Sequence, residues 1–151
     1  WYILAVMENA QAETVASILA FHENGEARIG DQNKITARYF SKKEPERNAY
    51  LNQIENFDAA LKKKLLDYYD QIEDRNTEEG IIAKDADWLE TAFQAKEYYD
   101  QGHSEAMDWI NNIEKALETK SAKLLFREMK KIKFTNWWQG LKKMTYKKIK
   151  N

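Results

Sequence analysis

A single proline, Pro45, and five glycines are the only strong breakers in a chain of 151 residues. Tight turns and strand ends draw on those two residue types, so a chain this poor in them is built from long elements joined at few corners. Alternating apolar and polar runs are scarce, whereas Ala, Leu, Glu, Lys and Gln, the strong helix formers, are plentiful. The expected fold is all-α, one single-domain helical bundle over residues 1–151, and this length suffices for one sizeable core.

The spacing of apolar residues divides the chain. A first helix runs to Asn9 and a second from Ala12 to Asn24, followed by a glycine-interrupted loop from Gly25 to Lys34 and a short turn to Phe40. A helix starts at Pro45, where the missing N–H of a first-turn residue costs nothing, and another covers Ala59–Ile72. Asn76 to Glu79, N-T-E-E, has the form of a capping box. The long helix it opens continues to Asp100, with Gly102 as its stop. Ser104 is placed to cap a helix to Leu117, and two basic helices, Ala122–Lys131 and Thr135–Tyr146, finish the chain.

Charge and composition exclude several function classes. The net charge of −1 gives the whole molecule no strong pull on nucleic acid or membrane. From Lys120 onward there are eleven Lys or Arg against one acid, Glu128, a pattern that amphipathic closing helices produce and that matches no nucleic-acid module. Without cysteine there is no disulfide, thiolate metal site or thiol nucleophile. No apolar run is long enough for a membrane span. The opening W-Y-I-L-A-V-M has neither the basic flank nor the cleavage site of a signal peptide and reads as the middle of a helix. A cytoplasmic protein whose natural N-terminal helix lies upstream is the expectation.

Two stretches carry candidate chemistry. In F-H-E-N-G-E-A-R-I-G-D, Phe21 to Asp31, His22 and Glu26 are four residues apart and Glu23 and Glu26 three, so on a helix they are neighbours. An imidazole beside carboxylates suits a divalent cation that takes mixed nitrogen and oxygen ligands, although such pairs are also common on helix surfaces. Phe21 and Ile29 give the segment an apolar side, and Gly30-Asp31 frees the backbone while adding a carboxylate. The second stretch is K-D-A-D-W-L-E, Lys84 to Glu90. Asp85 falls inside an arc of Ile81, Ile82, Ala86, Trp88, Leu89, Ala92 and Phe93. Asp87 falls opposite, among uncharged Ala83, Thr91, Gln94 and Tyr98. Periodicity alone selects Asp85 as the buried carboxylate, while the second wall favours a two-sided helix with Asp87 on it.

H-E-N-G-E-A-R-I-G-D resembles the H-D-x-x-E-x-x-x-G-D signature of HD-domain metal-dependent phosphohydrolases, and A-D-W-L-E resembles their downstream A-D-x-L element. The resemblance runs from Val6 to Lys131 and is nearest to the small single-domain branch resembling 5′-deoxynucleotidases. It implies an HD-type helical bundle with His22, Glu23 and Asp87 as metal ligands, which resolves the aspartate in favour of Asp87. It also implies Glu26 as the proton-handling residue and Asp31 as the acid that positions substrate or water. Lys34, just beyond, is a candidate phosphate contact. The implied cofactor is a divalent metal ion (Mn, Co, Fe, Ni or Zn), the implied substrate a nucleoside monophosphate or similar small phosphoester, and the implied assembly a homodimer.

The chain departs from this pattern at three points. Family members supply an earlier histidine from an upstream helix, yet the one other histidine here, His103, lies far downstream in a turn. Glu23 stands where the signature has Asp, and Asn24 where an apolar residue packs more naturally. The competing readings are a non-catalytic HD-like helical binding module and a phosphodiesterase or signalling-nucleotide hydrolase on the same fold.

Overall fold

The computed structural model describes residues 1–141. Helices α1 (Tyr2–Met7), α2 (Ala12–Phe21), α3 (Glu26–Ile29), α4 (Lys43–Gln53), α5 (Ala59–Asp74), α6 (Glu78–Asp100), α7 (Ala106–Ala116) and α8 (Lys120–Lys131) follow one another, with 3-10 turns at His22–Gly25 and Thr36–Arg38. There is no strand among the described residues, as the breaker-poor sequence requires. None of these helices is long and apolar enough to cross a membrane.

Helix α6 is the axis of the bundle and packs against α1, α2, α5, α7 and α8. Its buried Ile82, Ala83, Ala86, Leu89, Ala92 and Ala95 join one core with residues of those neighbours, Ile18 of α2 and Phe126 of α8 among them. Alanines on two sides let helices approach closely from both, so the two-sided reading of α6 holds. Beyond Leu89 the buried stripe continues through Ala92 and Ala95, which leaves Phe93 41% exposed, outside the apolar arc expected for it. A smaller core between α4 and α5 holds Tyr50, Ile54, Leu65 and Tyr69. Here the two tyrosine rings lie 4.8 Å apart, and the Tyr50 hydroxyl donates to the Leu65 carbonyl at 3.0 Å.

Helix ends differ from expectation where tertiary packing intervenes. Thr77, not Asn76, caps α6: its Oγ1 accepts from the Gly80 N–H at 3.0 Å. The start is shifted because α5 crosses there, and a Cβ on Gly80 would lie 2.1 Å from the Gln71 carbonyl oxygen. Ser104 does not cap α7, which begins after Glu105 with no side-chain cap bond. Helix α8 starts at Lys120 because the Thr119 hydroxyl accepts from the Ala122 N–H. Of the final helix expected over Thr135–Tyr146, residues 135–140 form turns, Leu141 a bend, and the remainder lies outside the described residues.

Asp85 is 1% exposed, as periodicity indicated, and its carboxylate is satisfied by the chain itself. Both oxygens accept from the Glu118 N–H at 3.0 and 3.1 Å, and one accepts from Thr119 N–H at 2.7 Å. A buried carboxylate bonded to amides in this way pins the α7–α8 corner onto α6.

In the smaller core, burial first and then the Asp70 charge push Tyr50 up to about 12. Burial first and nearby acids raise Tyr69 as well. A folded value above that of the free phenol means that stability is intact below about pH 10 and is lost as pH climbs through the folded value. The Tyr69 hydroxyl has no partner among the described residues. Tyr69→Phe is therefore expected to leave the Tm at pH 7 unchanged or raise it, and to shrink the loss of stability above about pH 10. Thermal melts across pH check this, and a drop of several degrees at neutral pH would contradict it.

Candidate metal centre

The backbone tightens from α to 3-10 where the second helix was expected to continue. Helix α2 stops at Phe21, and His22–Gly25 tighten into a 3-10 turn before α3. Gly25 makes this possible: a Cβ there would lie 2.7 Å from the Glu46 carbonyl oxygen and 2.9 Å from its Cγ, so the turn can lie flat on α4 only without a side chain. Gly30, at φ +78°, then ends α3 in a conformation that L side chains rarely adopt and sends Asp31 to the rim. The inward side of the segment comes from His22 and Gly25. Phe21, expected to face inward, is 39% exposed.

The His22 side chain is 13% exposed, and its Nδ1 lies 2.9 Å from the Leu19 carbonyl oxygen. A carbonyl only accepts, so Nδ1 is the donor in this bond and Nε2 is the nitrogen turned towards the carboxylates. That nitrogen is 3.7 Å from Glu23 Oε1 and 4.0 Å from Asp87 Oδ1. Ligand atoms of the three residues all lie within 4.8 Å of one another. The second Asp87 oxygen accepts from Lys84 Nζ at 2.8 Å. Metal–ligand bonds of about 2.0–2.2 Å put adjacent donors about 3 Å apart. The group must therefore draw in slightly, and the Glu23 side chain, 65% exposed, has the freedom to do so. One imidazole with two carboxylates fits a divalent transition ion.

These residues line one side of an open cleft of about 610 Å³. Glu26 and Asp31 lie along another edge, grouped around Lys42. The Lys42 ammonium is paired with Glu26 and stands 3.7 Å from Asp31 and 3.5 Å from Glu46. Burial would lower the Lys42 ammonium, but Glu26, Glu46 and Asp31 outweigh it and hold it above the ordinary lysine value. Burial pushes the Glu46 carboxyl up, and Lys42 offsets this in part. Lys34 also lines the cleft, its Nζ 5.6 Å from the centroid of the Trp109 ring. The structure thus joins His22, Glu23 and Asp87 in one cluster, gathers Glu26 and Asp31 in a second, and leaves Lys34 apart from both. His103 is in neither: it lines a separate apolar pocket, edge-on to Tyr98 at 5.9 Å.

Sequence reasoning missed Lys42, Glu46 and the role of Lys84. Each carried a local signal, since Lys42–Glu46 is an i,i+4 pair and Lys84–Asp87 an i,i+3 pair. Nothing local placed them at the cleft.

Two comparisons with known proteins bear on the family of this chain. The profile of the HD domain family matches residues 2–130. The chain is 33% identical over 85 residues to the 5'-deoxynucleotidase HDDC2 of Dictyostelium discoideum, an alignment that takes in 54% of this chain and 44% of that protein. The match thus spans less than half the length of that relative. No solved structure matches the chain. With the profile extending over nearly the whole described bundle, the chain belongs to the HD-domain family.

Proposed function

We propose that this chain is a metal-dependent phosphohydrolase that releases inorganic phosphate from a nucleoside monophosphate or a similar small phosphoester. The observation that carries the reading is the meeting of His22, from the turn after α2, with Asp87, from the middle of α6, beside Glu23. Membership of a family whose domains bind divalent metals, and partial similarity to a 5'-deoxynucleotidase, support it.

A divalent ion held there supplies Lewis-acid polarisation of the phosphoryl group and a water of lowered pKa. The chain's own residues do the rest. His22 is fixed in tautomer and direction by the Leu19 carbonyl. Water adds to phosphorus, the bond from phosphorus to the ester oxygen breaks, and the departing oxygen gains a proton. Glu26, 18% exposed on the cleft wall, takes the water's proton or delivers one to the departing oxygen, a role worth about 10²–10⁴-fold when well positioned. Asp31 orients substrate or water at the rim. Lys34 reaches the phosphate by leaving Trp109, since an exposed cation–π contact is worth only about 0.5–1 kcal/mol.

One observation favours a second reading, a helical binding module without turnover: among the described residues the metal group has a single imidazole, and Glu23 is 65% exposed. Metal-replete protein that retains no Mn, Co, Fe, Ni or Zn would select that reading over the enzyme.

The two aspartates of α6 should separate cleanly. Asp87→Ala is expected to reduce bound metal at least tenfold, by elemental analysis after metal-replete purification, with little change in Tm. Asp85→Ala should keep metal stoichiometry but lower the Tm, because it takes the acceptor from the Glu118 and Thr119 amides at the α7–α8 corner. The opposite pattern would exchange their roles. Glu26→Gln should cut phosphate release by about 10²-fold or more while metal content stays at the parent level. Undiminished turnover would remove Glu26 from proton transfer.

A further inference from the structure

We propose that Lys42 is the positioning residue of this site: its one ammonium ties Glu26 and Asp31, from the segment after the His22–Gly25 turn, and Glu46, from its own helix, to a single corner of the cleft and thereby aims Glu26 at the reacting phosphate. This role rests on the hydrolase reading above. An ammonium has three donors, and Lys42 meets three carboxylates, in contact with Glu26 and 3.5 and 3.7 Å from Glu46 and Asp31. Glu26 and Glu46 are 18% and 11% exposed and Lys42 28%, so these two contacts are held more firmly than a surface pair, whereas the contact with Asp31, 81% exposed, is a surface one. Without the cation, like charges would face one another across a partly buried corner and push Glu26 away.

Its place in the chain supports the same role. Lys42 is the N-cap of α4 and makes no side-chain cap bond. A cation is disfavoured at a helix N-terminus, where the backbone already presents positive charge. The local helix therefore gains nothing from this lysine, whereas the three carboxylates do. The rest of α4 is built to bring it there. Lys42, Glu46 and Gln53 follow one helical face, Glu46 packs on the bare Cα of Gly25, and the Gln53 amide donates to the Asn24 carbonyl. Helix α4 is thus docked along the His22–Gly25 turn, with Lys42 where the turn leads into Glu26.

The test is a double-mutant cycle on the full, metal-loaded chain, with K42M, K42R, E26Q and K42M/E26Q compared for kcat, metal content and Tm. K42M should lower kcat about 10- to 100-fold, the scale of a misplaced catalytic group, with metal content unchanged. In the E26Q background the same change should have almost no further effect on kcat, and K42R should restore most of it. An unchanged kcat in K42M, or an equal fold-loss with and without Glu26, overturns the proposal, since a purely structural lysine would act independently of Glu26. Parent protein that binds metal but releases no phosphate would instead refute the hydrolase reading. The Tm cycle then decides alone whether Lys42 holds Glu26: a smaller Tm drop for K42M in the E26Q background supports the tie, and additive drops overturn it.

Discussion

Two carboxylates on one helix, facing opposite ways, organise this molecule. Residues two apart on an α-helix point about 200° from each other. Asp85 therefore faces the α7–α8 corner and accepts its amides, while Asp87 faces the turn after α2 and meets His22. The first contact locks the helix that carries the second. Because Asp85 is fully committed to backbone, no cation is needed to keep it buried, and Asp87, with one oxygen on Lys84 and one towards His22, is the carboxylate left to bind. A shift of α6 by one residue would lose both contacts together.

The charge distribution in the cleft follows from the same arrangement. Several of the cleft acids face a cation of their own: Lys84 for Asp87, and Lys42 for Glu26, Asp31 and Glu46. At His22 the imidazole faces two carboxylate oxygens, Glu23 Oε1 and Asp87 Oδ1. A divalent ion fits that corner on charge as well as on donor type.

Much of this was legible in the sequence. The scarcity of Gly and Pro gave the all-α class, and the uncharged neighbours of Asp87 indicated that α6 is covered on two sides, as Ala83 shows. The periodicity argument for Asp85 and the motif argument for Asp87 seemed to conflict, yet each identified a real property: one residue is buried, the other faces the cleft. What was not legible depended on contacts distant in sequence. The α6 cap moved from Asn76 to Thr77 because α5 crosses at Gly80, and α2 stopped at Phe21 because α4 lies against Gly25. Lys42 had no place at the cleft from sequence alone, since its partners Glu26 and Asp31 belong to another segment.

The central claim is that His22, Glu23 and Asp87 together hold one divalent cation. It is tested most directly by anomalous X-ray diffraction from crystals of the full chain grown with Mn²⁺. The account predicts a single strong anomalous peak at about 2.0–2.2 Å from His22 Nε2 and from an oxygen of each carboxylate. A peak that avoids these residues, or a saturated crystal with no peak in the cleft, would contradict it.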